Sequence, residues 1–307
     1  MKFIGFGNAH GRKQVTNYDL SNIMDTTDEW IRKKTGIESR WFAEDETNAD
    51  MAYSAACNAL EDADIKDMEE IDGIIVCTFT PDRATPSVAN EVAGRLNLKE
   101  EILSIDINGA CSGFIYGCTV AEALLRTERY NKIIVVGSER ISQVMPLYDR
   151  NTDVLFGDAA GAVVCTGSND GYFISKNGLI ANSEALSCER FDPQIKMQGQ
   201  EVYRFAVNKV PELVRGVLKE SRFDGSEIDW FVFHQANERI IKSSMEKLGI
   251  PMEKTFLNIQ NFGNTSAASI PVVLGDMRKK GLLKEGMKVL SVGFGAGLTY
   301  GVMICKL

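Results

Sequence analysis

The chain has 307 residues, 44% of them hydrophobic and 25% charged, with a formal net charge of −8. That length buries a sizeable core, as one large domain or as two halves sharing an interface, and the acidic balance argues against an overall attraction to nucleic acid or to an anionic membrane. Seven cysteines (57, 77, 111, 118, 165, 188 and 305) show neither CxxC nor metal-ligand spacing, and His10 and His234 are the only histidines, which excludes a zinc site built on several imidazoles.

The first residues, Met1 to Gly7, are too short and too Gly-rich for a secretory apolar region, and no apolar run approaches the ~18–20 residues of a membrane span. With its unpaired cysteine usage the chain reads as soluble and cytoplasmic. Apolar periodicity predicts helices over 50–63, 87–96, 112–127, 202–221, 238–248 and 266–280. Short apolar runs predict buried strands over 73–78, 102–107, 132–137, 161–166, 230–233, 289–292 and 300–305. Pro211 lies inside a helical pattern and predicts a kink or break there. Alternating strands and helices argue an α/β architecture.

The pattern repeats once. Residues 102–137 run strand, Ile107-Asn-Gly-Ala-Cys-Ser-Gly-Phe114, helix, strand; residues 256–293 run strand, Gln260-Asn-Phe-Gly-Asn-Thr-Ser-Ala-Ala-Ser269, helix, strand. A preceding strand recurs too, near 72–79 and 229–236. This implies a duplication with a pseudo-twofold axis, halves 1–167 and 168–307, and a period far too long for a solenoid. The echo places Cys111 and Asn264 at matching strand ends, able to face each other across the axis.

Cys111 has small neighbours and precedes a helix whose positive end favours a thiolate. Cys57, Cys77, Cys118, Cys165 and Cys305 lie in apolar stretches and read as core; Cys188, in a polar segment, stays open. His234 stands where the apolar run 229–233 ends, the place where open α/β sheets carry their sites, although a lone histidine also reads as a satisfied structural one. Asn264 reads either as a turn and helix cap or as an amide donor to a developing oxyanion. Gly293-Phe-Gly-Ala-Gly297 lacks the lysine of a phosphate loop and reads as readily as close packing beneath the nucleophile.

Together these segments resemble the thiolase superfamily and, more closely, the β-ketoacyl-acyl carrier protein synthase III family. The resemblance rests on Asp25-Thr-Thr-Asp-Glu-Trp-Ile31, Lys34-Thr-Gly-Ile37, Gly109-Ala-Cys-Ser-Gly-Phe114, Phe156-Gly-Asp-Ala-Ala-Gly-Ala162, His234-Gln-Ala-Asn237 and Gly263-Asn-Thr-Ser-Ala-Ala-Ser-Ile-Pro271, all in family order. It implies a thiolase-like fold layered α/β/α/β/α. It also implies a triad of Cys111, His234 and Asn264 that joins an acyl-CoA primer to malonyl-acyl carrier protein, with no resident cofactor or metal. Asn264 and the missing loop cysteine set the chain apart from elongating ketosynthases and from thiolases.

The resemblance further implies that Trp30 and Arg150 hold the CoA adenine, with Thr26, Lys34 and Asn237 as further CoA contacts. Lys34 stands where the family often has arginine, and lysine meets a phosphate without the bidentate fork. Arg239 and Arg204, with Lys242 and Lys247 nearby, match the basic residues that receive the acidic carrier protein, although a solvated helix face is the competing reading. Family members form homodimers, and the apolar segment 113–121 is a candidate for the axis. Thr85, at a position that enters the neighbouring subunit's acyl pocket in relatives, suggests room for a longer or branched primer. The segment 168–200 is shorter than is usual in the family, which leaves primer choice open. Two other readings remain at this level: a secondary-metabolite relative with another acceptor, and a non-catalytic acyl or CoA binder.

Overall fold

The computed structural model describes residues 1–146, 148–168, 171–191 and 194–307. Parts of the segment 168–200 thus lie outside the described residues. The chain begins with β1 (Lys2–His10), then a ribbon of β2 (Lys13–Thr16) and β3 (Ser39–Phe42) enclosing α1 (Asn17–Ser21) and α2 (Asp28–Thr35). There follow α3 (Asn48–Asp62), β4 (Gly73–Cys77), α4 (Val88–Arg95), β5 (Leu103–Ile107), α5 (Gly113–Leu125), β6 (Lys132–Glu139) and β7 (Ala159–Thr166). Beyond them come β8 (Phe173–Leu179), the short pair β9 (Leu186–Cys188) and β10 (Ile195–Met197), α6 (Gly199–Ser221) and β11 (Trp230–Phe233). The chain closes with α7 (Glu238–Leu248), α8 (Ile259–Phe262), α9 (Ser269–Lys279), β12 (Lys288–Gly295) and β13 (Thr299–Lys306).

The duplication is visible in the strand pairing. One sheet runs β1-β7-β6-β4-β5 and the other β8-β13-β12-β11. In each, the first two pairings are antiparallel and the next is parallel. The parallel partner β5 has its counterpart only as a single bridge between Phe231 and Thr255, so the strand expected at the start of the second repeat shrinks to one residue. Helices α3 and α4 cover the outer face of the first sheet through a core rich in alanine. Helices α6 and α7 cover the outer face of the second. Between the sheets lie α5 and α9, whose residues make the central core with both. The result is five layers, α/β/α/β/α, in which apolar strands buried on both faces need no polar alternation.

Several expectations change. Neither β1 nor β8 was expected, because glycines and polar residues interrupt their apolar alternation. The helix containing Pro211 is unbroken from Gly199 to Ser221. Proline removes the N–H that would reach the Val207 carbonyl, and Lys247 of α7 supplies the missing donor at 2.8 Å. The segment 113–121 belongs to α5, most of whose residues are buried within the chain's own central layer, so that apolar face is occupied internally.

Candidate active site

Two turns at the heart of the molecule are built alike. A 3-10 turn over Ala110–Ser112 leads into α5, and one over Ser266–Ala268 leads into α9. Each opens with a non-glycine residue in the left-handed region, Ala110 at φ 46° and Ser266 at φ 49°. Each of these N–H groups donates to an asparagine side chain two residues earlier: Ala110 to Asn108 Oδ1 at 3.2 Å, Ser266 to Asn264 Oδ1 at 2.9 Å. Asn264 therefore matches Asn108, and the counterpart of Cys111 is Ala267. The expected pairing of Cys111 with Asn264 is three residues out of step, because the turn geometry sets the equivalence and the motif letters do not.

The nucleophile candidate Cys111 is buried at the mouth of α5. Gly295 at the end of β12 lies so close that a methyl group there would fall 2.7 Å from the Cys111 nitrogen. Burial pushes the Cys111 thiol up to about 12, and the nearby Glu139 carboxyl acts in the same direction, so burial opposes the helix end that favours a thiolate. His234 follows β11, with its backbone N–H on the Val292 carbonyl at 2.8 Å and the Phe294 ring edge-on at 5.5 Å. Burial lowers its pKa to about 3, so the imidazole is neutral at physiological pH. Its Nδ1 is buried without a partner among the described residues. Protonation on Nε2 leaves an orphan acceptor there, which costs less than an orphan N–H. Asn264 has its Oδ1 committed to the turn, which leaves its NH₂ as the end available to a ligand. The turn reading of Asn264 thus holds, and it leaves the amide nitrogen to the donor reading.

Cys111, His234 and Asn264 all line one cavity of 530 Å³, with Phe294 and Gly295 in its wall. A second cavity of 130 Å³ shares Cys111 and is walled by Phe79, Phe156, Leu186, Cys188 and Ile195. Cys111 so stands between a larger chamber and a small, mainly apolar one. Cys77, Cys118, Cys165 and Cys305 are buried core residues as expected, and Cys57 is half-buried. Cys188 proves to face the small cavity. His10 stacks on Trp41 at 4.1 Å and lines neither chamber.

The larger cavity extends to Trp30, Lys34 and Asn237. The Arg150 guanidinium lies over the Trp30 ring at 4.4 Å and donates to the Asp25 carbonyl at 2.9 Å. Seating an aromatic base between them requires the guanidinium to lift off the indole. Thr26 beside them is buried, with a hydroxyl that has no partner among the described residues. Asn237 caps α7 through Arg239 N–H and donates to the Lys34 carbonyl at 3.0 Å, so its side chain ties α7 to α2. On the outer surface, exposed Arg204 of α6 and Arg239 of α7 sit on adjoining helices, and Arg239 leans over Tyr203 at 5.7 Å. Lys242 is paired with Glu238 at 2.7 Å and Lys247 is held by α6, so neither adds a free cation to that patch.

Known proteins decide the family. The family model for 3-oxoacyl-[acyl-carrier-protein] synthase III matches residues 105–188, and that for its C-terminal part matches residues 218–307. The β-ketoacyl-[acyl-carrier-protein] synthase III of Clostridium acetobutylicum is 41% identical, over 100% of this chain and 98% of its own. The chain belongs to the synthase III family. The crystal structure of the Aquifex aeolicus VF5 synthase III superposes with a TM-score of 0.96 at 40% identity, covering 100% of this chain and 99% of that one. The thiolase-like five-layer fold is shared with it. The priming β-ketosynthase of the R1128 polyketide pathway is also similar, with a TM-score of 0.95 at 32% identity, covering 100% and 96% of the two chains. Two lining residues went unread in the sequence, Phe294 and Ser266, as did Glu139 behind Ser266. The signal for Glu139 was present, as a carboxylate closing a strand whose middle, Ile133 to Val136, is wholly apolar.

Proposed function

We infer that this chain catalyses the decarboxylative condensation of an acyl-CoA with malonyl-acyl carrier protein, the step that starts a fatty acid chain. Its membership of the synthase III family supports the reaction. The observation that carries the residue roles is that Cys111, His234 and Asn264 line one cavity that runs out to Trp30 and Lys34. Cys111 sulfur attacks the acyl carbonyl, an S–C bond forms and the CoA thiolate leaves and takes a proton. The acyl group then lies in the 130 Å³ chamber. Malonyl-carrier protein enters, its C–CO₂ bond breaks, and the electron pair becomes an enolate whose oxygen is held by His234 Nε2–H and the Asn264 NH₂. The enolate carbon attacks the acyl-cysteine, and Cys111 departs as a thiolate that regains a proton. In the loading step, backbone N–H groups at Cys111 and near Gly295 serve the oxyanion.

CoA enters as substrate, with its adenine between Trp30 and Arg150, phosphate contact from Lys34 and further contacts at Thr26 and Asn237. The carrier protein docks on Arg239 and Arg204. The reaction needs no resident cofactor or metal, and we place it in the cytoplasm. A homodimer is supported by β5, an edge strand whose every residue is only half-buried and which carries Ile105 and Ile107. Thr85 is exposed and lines neither cavity of its own chain, so a part for it in primer choice depends on the dimer. A light-scattering mass equal to one chain would remove the dimer. The likeness to a polyketide priming ketosynthase favours one alternative, a different acceptor, which product analysis with malonyl-carrier protein separates.

The test is incubation with a panel of acyl-CoAs followed by intact and peptide mass measurement. An acyl mass on the Cys111 peptide, absent from Cys111→Ala, is the expected result, and the best-loaded chain identifies the primer. No adduct with any acyl-CoA would overturn the proposal.

A further inference from the structure

Glu139 is a carboxyl group that the condensation as written does not use. It is fully buried at the end of β6, the place that Gly295 occupies at the end of β12. All its hydrogen-bond partners among the described residues are neutral. Oε2 accepts from Thr78 Oγ1 at 3.1 Å, Thr80 Oγ1 at 2.5 Å, Phe79 N at 3.2 Å and Thr80 N at 3.2 Å. Oε1 accepts from Ser266 Oγ at 3.0 Å and only weakly, at 3.4 Å, from Phe79 N. One oxygen is thus anchored to the link after β4, and the other faces Ser266.

Ser266 and Cys111 also line the small chamber together, where the Ser266 hydroxyl lowers the thiol's pKa against the effect of burial. A serine hydroxyl has one proton to give. While Glu139 is ionised, Ser266 must donate to it, and can then only accept from Cys111 S–H. If the proton instead sits on Glu139 Oε1, the chain runs the other way: the carboxylic acid donates to Ser266, and Ser266 donates to a Cys111 thiolate. The two arrangements differ by two proton hops, one between Cys111 and Ser266 across the chamber they share and one along the 3.0 Å hydrogen bond from Ser266 to Glu139.

We propose that Glu139, acting through Ser266, takes up the Cys111 proton during acyl loading and returns it to the sulfur when condensation expels Cys111. This rests on the condensing reading and adds to it a positioning residue with a proton-holding role. In loading, the S–H bond breaks as the S–acyl bond forms; the proton reaches Ser266 and Ser266's own proton reaches Glu139, while the CoA thiolate takes a proton from solvent. In condensation the S–acyl bond breaks and both hops reverse. The cycle so consumes one solvent proton, as decarboxylation of a carboxylate to CO₂ with release of CoA thiol requires.

The surroundings suit such a role. Burial without a cation lifts Glu139 to about 7, where a carboxyl group can both hold and release a proton at working pH. Among the described residues, the titratable groups that face it are Cys111, Cys77 of β4 and Cys188 of β9, all thiols raised by burial. Arg140, next in sequence, points its guanidinium at the Glu44 carbonyl, and Asp158 before β7 is taken by Ser142 and the Ala43 N–H. His234 opens on the larger chamber and is neutral.

The experiment is single-turnover acyl loading of the full-length enzyme, followed by mass spectrometry from pH 5.5 to 9. The wild type should load faster as pH rises through about 7, as Glu139 ionises. Glu139→Gln should load roughly 10²-fold more slowly and lose that rise. Ser266→Ala, which leaves the four donors on Glu139 Oε2 in place, should show the same loss and the same flat profile. Loading by either variant within about threefold of wild type, or a slower rate that keeps the rise near neutrality, would overturn the relay. If Glu139→Gln fails to fold, judged by its melting curve, Ser266→Ala decides by the same criteria. A wild type that loads no acyl-CoA at all would overturn the condensing reading and the relay with it. Failure of the relay alone is marked by a wild type that loads and variants that load equally well.

Discussion

Gly295→Ala isolates how tightly the nucleophile is packed. Gly295 has φ −167°, an extended backbone open to any residue, so alanine meets no conformational penalty there. It does meet matter. The added methyl would stand 2.7 Å from the Cys111 nitrogen and 2.9 Å from its Cβ. Ordinary carbon contacts begin at about 3.5 Å, so Cys111 or β12 must move by several tenths of an ångström. Overpacking of this kind costs typically ~1–3 kcal/mol of stability, and a displacement of that order at a reacting atom costs up to about 10²-fold in rate. Acyl loading of Gly295→Ala should fall by roughly 10–100-fold, with a lowered melting temperature. Gly286→Ala is the control: at φ +83° with nothing within 4 Å of the new methyl, it should lower stability and leave loading unchanged. Near wild-type loading by Gly295→Ala would refute the claim that this glycine is required by the space around Cys111.

Other expectations follow from the same geometry. Trp30→Ala should raise KM for acyl-CoA by about tenfold or more, since base stacking on an aromatic is worth ~1–3 kcal/mol, while kcat at saturation holds; an unchanged KM would remove the adenine from the Trp30–Arg150 pair. Arg239→Glu should raise KM for malonyl-carrier protein and spare acyl-CoA loading, and equal loss in both would sink that docking site. Lys247→Ala should do the reverse, lowering the melting temperature by orphaning the Val207 carbonyl (about 1 kcal/mol for an exposed donor) and leaving carrier KM alone. Stability should also depend on pH with two opposite signs. Glu139 is raised from 4.5 to about 7, so its contribution is present at low pH and lost as pH rises through about 7; Glu139→Gln should gain melting temperature over wild type between pH 5 and 8. His234 is lowered from 6.5 to about 3, so its contribution is present above pH 6.5 and lost toward pH 3; His234→Asn should flatten the acid side of the melting profile.

How much of this was legible beforehand varied from element to element. Helix α7 was read to the residue, because Asn237 caps it and Gly249, at φ +67°, ends it. Strand β11 was read as surely, being wholly apolar between polar flanks. The long α6 runs on past Pro211 without a break, since the donor that replaces the lost N–H comes from another helix. The proposed CoA contacts came from resemblance to a family, and the basic patch shrank from four cations to two once Lys242 and Lys247 were found engaged.

The sequence by itself determined the α/β class, the duplication, and three candidate residues beside strand ends and helix starts, since those ends are written in local hydrophobic pattern. Only the tertiary structure decided which turn answers which across the pseudo-twofold axis. It alone put Gly295 against Cys111, and it alone carried Glu139 to Ser266. The physical reason is that these contacts join β6 to the turn before α9 and β12 to the turn before α5. Such neighbours are created when two sheets close on a shared helical layer, and no local periodicity records them.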